Sequence, residues 1–92
     1  MAWRINTLTN LHWRCWDDEW VAFDVGSGQT HQMDTLTAVT LMVMDAQQIE
    51  LPTVLVRVAE ELQLVDSPEL LTALTGILEK LVAAGLIESV PA

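Results

Sequence analysis

Hydrophobic and polar residues alternate along the front of the chain, which is the pattern of half-buried β-strands. Residues 11 to 16 alternate first, and residues 19 to 25 alternate again after an Asp-Asp pair that suits a turn. The Gly-Ser-Gly stretch that follows permits the positive φ values of a hairpin connection. Residues 29 to 33 then return as a short third strand, on which His31 and Met33 share the face expected to meet the core.

The period of the pattern changes from two to 3.6 near Asp34, which predicts that helices follow the strands. Asp34 or Thr35 is placed to cap the first helix, which is expected to run to about Gln47. Pro52 suits the first turn of a second helix, because its missing N–H would have no partner there, and this helix is expected to end near Leu64.

The third helix has the clearest start and stop signals. Ser67 can cap it, Pro68 occupies its first position, and Glu69 complements the positive end of the helix dipole. Gly85 is placed to end it in a left-handed conformation. We therefore predict an α+β, winged-helix-like fold, with a three-stranded antiparallel sheet followed by a three-helix bundle, in a single domain over residues 1–92.

The composition predicts a single hydrophobic core with enough apolar residues to fill it, because apolar residues make up 51% of the 92 residues. Cys15 is expected to be a buried small hydrophobe, since the chain holds no second cysteine to pair with it. The remaining predicted core comes from both halves of the chain. Its members are Val21, Phe23, Met33, Leu36, Val39, Leu55, Val58, Leu74, Ile77 and Leu81.

Charge argues against nucleic acid as a partner. Four Lys and Arg stand against 13 Asp and Glu, for a formal net charge of -9, and the basic residues are spread along the chain. A winged-helix DNA binder is therefore disfavoured. The sequence has neither a run of about twenty apolar residues nor a secretory signal at its start, so the expected location is the cytoplasm.

Residues that could carry catalysis are sparse. His12 and His31 are the only histidines, and neither has the spacing of a metal site with Cys15. The Gly-Ser-Gly stretch opens no helix, so it does not form a phosphate-binding loop. We expect a protein that is not an enzyme and that carries no cofactor.

The third strand is expected to be the edge of the sheet, and it contains neither Pro nor Lys to block pairing. An extended peptide could add to such an edge by β-augmentation. The third helix has a second apolar row beside its core row, formed by Leu71, Thr75, Leu78 and Val82. For Leu78 and Val82 two interpretations stay open, a groove lining and a completion of the core.

Four tryptophans are dense for a chain of this length. The strand alternation cannot bury Trp16 on the same face as Trp13. Two of the four are expected in the core and one or two on a partner surface, or else as a cover over the open side of the sheet. A structural or scaffolding module that joins larger proteins through this region is the alternative to a peptide binder.

The order of three small strands and three helices, closing in "LEKLVAAGLIE", resembles the PqqD family of winged-helix-like peptide chaperones. The resemblance rests on "FDVGSGQTHQMD", in which Met33-Asp34 stand where the family has a Leu-Asn helix cap. It rests also on Leu81 with Gly85-Leu86-Ile87, in the place of the family's terminal Leu-x-x-x-Gly-Leu-Leu. It covers roughly residues 11 to 90, and "W…WVAFD…SGQTH" is most similar to the branch found beside HPr-kinase-like proteins.

The resemblance implies a recognition element for ribosomally made precursor peptides. The leader of such a peptide would add as a strand to the third strand, lie against the third helix, and be presented to a modifying enzyme, either of the radical S-adenosylmethionine type or an HPr-kinase-like protein. The same edge could pair with a second copy, so a monomer and an edge-strand dimer are both open. One departure is Asp45-Ala46, where the family often has Asp-Gly. The predicted peptide-binding residues are Gln29, Thr30, His31, Gln32, Met33, Leu71, Thr75, Leu78 and Val82.

Overall fold

The computed structural model describes residues 2–6, 9–44, 48–65 and 67–90. Over these residues the chain forms two three-stranded antiparallel sheets and three helices, which confirms the α+β class. The strands are β1 (Ala2–Ile5), β2 (Leu11–Trp16), β3 (Glu19–Asp24), β4 (Gln29–Met33), β5 (Ile49–Glu50) and β6 (Ile87–Val90). The helices are α1 (Thr35–Met42), α2 (Leu51–Leu62) and α3 (Pro68–Ala83). The Asp45-Ala46 pair, at which the sequence departs from the family's pattern, lies outside the described residues.

The first sheet, in the order β5-β1-β6, was not predicted. Strand β1 lies in its centre, with Ala2 opposite both Glu50 and Val90. A side-chain ion pair joins β1 to β6, with 2.9 Å between Arg4 Nε and Glu88 Oε2. Strands of two to four residues are too short for alternation to mark them, and their partners lie far away along the sequence, so a local pattern carries no sign of the pairing.

The second sheet, in the order β2-β3-β4, is the predicted meander. Asp17 and Asp18 connect β2 to β3 with φ values of 45° and 66°, while Trp16 pairs with Glu19 on either side of them. Two central residues with positive φ are typical of the type I′ turn, whose twist matches that of the strands it joins. The Asp-Asp turn is therefore confirmed.

The prediction chose the wrong face of β3 as the buried one. Ala22 and Asp24 are buried, whereas Phe23 is 43% exposed and Val21 is half-buried. Alternation divides a strand into two faces but does not say which face another layer covers. In the structure Ala22 lies between Trp13 and His31 across the ladder, so the covered face is the one that carries these residues.

Asp24 is a buried carboxylate that organises the β3–β4 connection. Its Oδ1 accepts from the backbone N–H groups of Asn10 and Gly26, each at 3.0 Å, and its Oδ2 accepts from the Ser27 hydroxyl at 2.9 Å. These hydrogen bonds, that from Asn10 first, hold the pKa of Asp24 below its ordinary value of 3.8. One side chain thus joins the start of β2 to the turn that leads into β4.

The helix boundaries lie close to the predicted ones at five of the six ends. Asp34 caps α1, accepting from the Thr37 N–H at 2.8 Å, but α1 ends at Met42, well before the predicted end at Gln47, which itself lies outside the described residues. Pro52 lies in the first turn of α2, and Gln63 ends that helix in a left-handed conformation close to the predicted end.

The predicted start and stop of α3 are confirmed. The Ser67 hydroxyl accepts from the Leu70 N–H at 3.2 Å, and Pro68 and Glu69 occupy the first turn. Gly85 has a φ of 78°, the left-handed conformation expected of a glycine that follows a helix.

The core lies between the three helices and the first sheet, and it confirms the predicted helical positions. Met33, Leu36 and Val39 pack against it while half-buried. Cys15 was predicted to be buried and is exposed, near the end of β2, which is an edge strand of its sheet. The buried cluster consists of Leu41, Met44, Ile49, Val54, Leu55, Val58, Leu70, Leu74, Ile77, Leu78, Leu81, Leu86 and Ile87.

We predict that Asp24→Asn destabilises the protein near neutral pH and that the loss shrinks in acid. Because the native pKa lies below 3.8, the stabilisation by this carboxylate is complete above that value and is lost as the pH falls through the native pKa. Urea denaturation of parent and variant across this range measures the difference.

Asp17→Asn is the matched control, because the exposed Asp17 side chain makes no hydrogen bond to the described residues. A constant deficit of Asp24→Asn at every pH would contradict the assigned role of the ionised carboxylate.

Candidate functional site

Strand β4 is an edge of its sheet. It pairs with β3 over its whole length, from Asp24 opposite Gln29 to Trp20 opposite Met33, and its other side has no partner strand within the described residues. Its outer-face side chains are exposed, while His31 and Met33 are half-buried on the predicted core side. All five residues predicted to bind a peptide on this strand therefore lie together along one unpaired edge.

The backbone of β4 can pair with an added strand. In an antiparallel ladder consecutive residues alternate, so that one directs its N–H and C=O groups to the neighbouring strand and the next directs them outward. The outward groups of β4 are a row of donors and acceptors. Neither Pro nor Lys interrupts the sequence from Gln29 to Met33, so nothing in its composition blocks the edge.

His31 is the least satisfied polar residue of this strand. Its Nε2 is buried and makes no hydrogen bond to any described residue, and the residue lies opposite Ala22 in the ladder. No carboxylate among the described residues forms a hydrogen bond with this ring nitrogen. His31 is therefore a half-buried residue of an edge strand, with one ring nitrogen that is not hydrogen-bonded to a described residue.

The second apolar row of α3 divides between core and surface. Leu71, Thr75 and Val82 are exposed, whereas Leu78 is 0% exposed. Leu78 therefore completes the core, and its assignment to a peptide groove is corrected. Leu78 lies about 80° around the helix from Leu70, close enough to the buried face to be covered.

One charge on α3 has an electrostatic effect at the end of β4, and it lies on the opposite flank of the helix. The pKa of Asp34 is lowered by its hydrogen bonds with Thr37 and also by the positive charge of Lys80, so the Lys80 ammonium lies near the end of β4. At 100° per residue, Lys80 lies about 140° to 180° around α3 from Leu71, Thr75 and Val82. No described contact brings those three residues to β4, and their role in a groove stays a prediction.

The flank that carries Lys80 also carries Ala73 and Gly76, which precede it by seven and four residues respectively. Small side chains allow another backbone to approach a helix closely. The predicted groove did not include this flank, because the prediction was based on surplus apolar residues. The available signal was the i, i+3, i+7 spacing of Ala73, Gly76 and Lys80, which puts two small residues and one cation on one face.

A cleft lies at the Met33 end of β4, with a volume of about 340 Å³. It is lined by Asp18, Glu19, Gln32, Met33 and Asp34. A chain of hydrogen bonds fixes its wall, because Trp20 Nε1 donates to Thr35 Oγ1 at 3.2 Å, and that hydroxyl donates to the Asp18 carbonyl at 3.3 Å. The sequence analysis treated Asp18 and Glu19 as turn residues and did not connect them with the edge strand.

The outer face of the second sheet is a separate surface. Trp16, which is 58% exposed, and Phe23 lie on this face together with Arg14 and Val21. Trp3, Trp13 and Trp20 are half-buried, and the last two make an edge-to-face contact with 6.1 Å between ring centroids. One tryptophan is thus exposed, and of the three half-buried ones Trp3 and Trp13 pack against the core cluster.

The described segments offer no group of three or more His, Cys, Asp or Glu side chains that could hold a metal ion. Among the helices of those segments, none is long and apolar enough to cross a membrane.

We predict that Leu78→Ala lowers the free energy of unfolding by about 3 kcal/mol, because it leaves a cavity in the core. Val82→Ala, on the exposed part of the same row, should change it by no more than about 0.5 kcal/mol. Urea denaturation measures both. Equal losses in the two variants would show that the row is uniformly buried.

No family model, curated protein or solved structure matches this chain. The resemblance to the PqqD family therefore rests on the residues quoted above, and the functional argument rests on the geometry of β4 and α3.

Proposed function

We propose that this protein is a peptide recognition element, which binds a segment of a precursor peptide as an added strand on β4 and presents it to a modifying enzyme. The observation that carries the proposal is the unpaired edge of β4. Main-chain hydrogen bonds would supply register and much of the affinity, while neighbouring side chains would select the peptide.

An unblocked edge strand is otherwise a hazard. Proteins protect such edges with Pro, Lys, bulges or a covering element, because an exposed row of N–H and C=O groups invites aggregation. Strand β4 has none of the protective residues, and no described strand covers its outer side. An edge kept open in this way is well explained by a strand that binds there in function.

The second wall of the groove is proposed to be the flank of α3 that carries Ala73, Gly76 and Lys80. The effect of Lys80 on Asp34 supports this choice, as do the small side chains that leave room for a peptide backbone. The alternative for this second wall is the exposed row that the sequence pattern favoured, which consists of Leu71, Thr75 and Val82.

The resemblance to the PqqD family extends the proposal to partners. The ligand would be the leader of a ribosomally made precursor peptide, and the recipient a modifying enzyme of the radical S-adenosylmethionine type or an HPr-kinase-like protein. The protein would act in the cytoplasm, without catalysis or a cofactor of its own. The net charge of -9 opposes both nucleic acid and an edge-to-edge dimer, since two copies would repel each other.

We predict opposite outcomes for His31→Pro and Gln32→Pro. These residues are consecutive in β4, so the N–H of one bonds to β3 and that of the other points outward. Proline on the inward residue removes a ladder bond and destabilises the fold by about 3 kcal/mol. Proline on the outward residue preserves the fold and weakens peptide binding at least about tenfold.

The measurements are circular dichroism for folding and calorimetry for binding. The ligand is the synthetic N-terminal segment of a short open reading frame beside the gene. His31→Ala and Gln32→Ala control for loss of the side chains. If the folded proline variant binds this segment as tightly as its alanine control, β4 is not the docking edge.

A second pair of variants decides which flank of α3 forms the wall. Ala73 and Thr75 are both exposed on α3, and they lie on different flanks. We expect Ala73→Arg to weaken binding of the same segment about tenfold, because a long charged side chain fills the groove, and Thr75→Arg to leave it unchanged. The reverse result would restore the flank that sequence analysis favoured.

A scaffolding module is the second candidate function, favoured by the exposed indole of Trp16 beside Phe23 and Arg14. Trp and Arg are the residue types that dominate protein–protein interfaces. Binding of the same segment to the parent and to Trp16→Ala distinguishes the two functions. A peptide binder should bind the segment with the same affinity in both forms, whereas a scaffold that holds no peptide should bind it in neither.

A further inference from the structure

Building on the proposed function, we propose that the peptide bound by β4 carries Lys or Arg at the end of its bound segment that lies over Asp18 and Glu19. The proposal deepens the choice of ligand, because it commits to a basic residue at a particular end of the added strand. It rests on the position and charge of the cleft at the Met33 end of the open edge.

The ladder brings these carboxylates to the edge strand. Trp20 pairs with Met33, so Glu19 and Asp34, one residue further along each strand, flank the end of the same pair of strands. Asp18 precedes Glu19 in the turn, and its carbonyl is held by Thr35 at the start of α1. A strand that continues the sheet beyond β4 would have one of its ends beside the end of β4 at which this cleft lies.

The carboxylates of the cleft are largely uncompensated. The ion pair found among the described residues is between Arg4 and Glu88, which lie in the β5-β1-β6 sheet and not at this cleft. Asp34 uses Oδ1 to accept from the Thr37 N–H, and the side chains of Asp18 and Glu19 make no hydrogen bond with a described residue. The cleft thus holds the carboxylates of Asp18, Glu19 and Asp34. The cation that acts on this group is Lys80, whose positive charge lowers the pKa of Asp34.

The other end of β4 has no free charge of this kind. Asp24, opposite Gln29, is buried and already accepts three hydrogen bonds from its own loop and from Asn10. The connection that follows it consists of Val25, two glycines and Ser27. The electrostatic preference therefore lies at one end of the bound strand, and it can set the direction of the peptide as well as its composition.

Charge complementarity also excludes a second copy as the preferred occupant. A copy of this chain would bring another net charge of -9 to an acidic cleft. An antiparallel strand, the arrangement of both strand pairs in this sheet, would place its N-terminal end over the cleft. A parallel strand would place its C-terminal end there.

The test uses the full isotope-labelled chain and short synthetic peptides with one alternating Thr-Val centre and blocked ends. One peptide carries a Lys pair at its N-terminal end, a second carries the pair at its C-terminal end, and matched versions carry Gln or Glu pairs instead. Titrations followed by nuclear magnetic resonance give both the affinity and the residues whose signals move. We expect the better Lys peptide to bind about three- to tenfold tighter than its Gln version, with shifts along β4 and at Glu19.

The matched variants separate local from overall charge. Asp18→Asn with Glu19→Gln removes two charges from the cleft, and Asn is well tolerated at the positive φ of residue 18. Glu60→Gln with Glu61→Gln removes the same charge from exposed positions on α2. The Lys preference should disappear in the first double variant and persist in the second.

The outcomes distinguish this inference from the function on which it rests. Equal binding of the Lys and Gln peptides along β4, a preference for Glu, or equal losses in both double variants would overturn the basic ligand and leave peptide recognition standing. Shifts confined to residues outside β4, for every peptide, would overturn the proposed function as well.

Discussion

The indole of Trp20 joins β2, β3 and the start of α1, and the candidate site depends on the arrangement of these elements. It packs edge-on against Trp13 of the neighbouring strand, and its Nε1 donates to Thr35 at the start of α1. A buried Trp that finds a partner for its N–H contributes both apolar area and a directional contact. The second sheet is therefore attached to the helices at the end where β4 passes into α1.

This attachment determines which surfaces remain open. Because the sheet is covered on the side of Trp13 and Trp20, its other face, with Trp16 and Phe23, meets solvent. Because the meander ends at β4, the last strand has no neighbour on its outer side within the described residues. A sheet with one covered face can keep its register, fixed by the buried side, while an edge strand such as β4 pairs with something else.

Electrostatics differs strongly between the two ends of that edge. At one end the Asp24 carboxylate is buried, and its oxygens already accept hydrogen bonds from the protein's own donors, which stabilises the turn and leaves the oxygens inaccessible to a ligand. At the other end Asp18 and Glu19 stand in an open cleft, with Lys80 acting on the neighbouring Asp34. Similar chemical groups thus serve the fold at one end and are available for recognition at the other, because only one set is enclosed by hydrogen-bond donors.

The sequence by itself determined the features that depend on neighbouring residues. The caps at Asp34 and Ser67, the left-handed Gly85, the two-residue turn and the change of period are local, since each involves contacts within a few positions of the chain. The position of β4 at an edge of its sheet also followed from the order of the strands.

Only the tertiary structure decided the features that depend on which surfaces meet. Alternation could not say that Phe23 faces solvent and Ala22 the core, and helical periodicity could not say that Leu78 is covered while Val82 is not. The pairing of β1 with β6 and the approach of Lys80 to Asp34 join residues far apart along the chain. Each of these contacts is selected by the packing of whole elements, and no local pattern of residues encodes it.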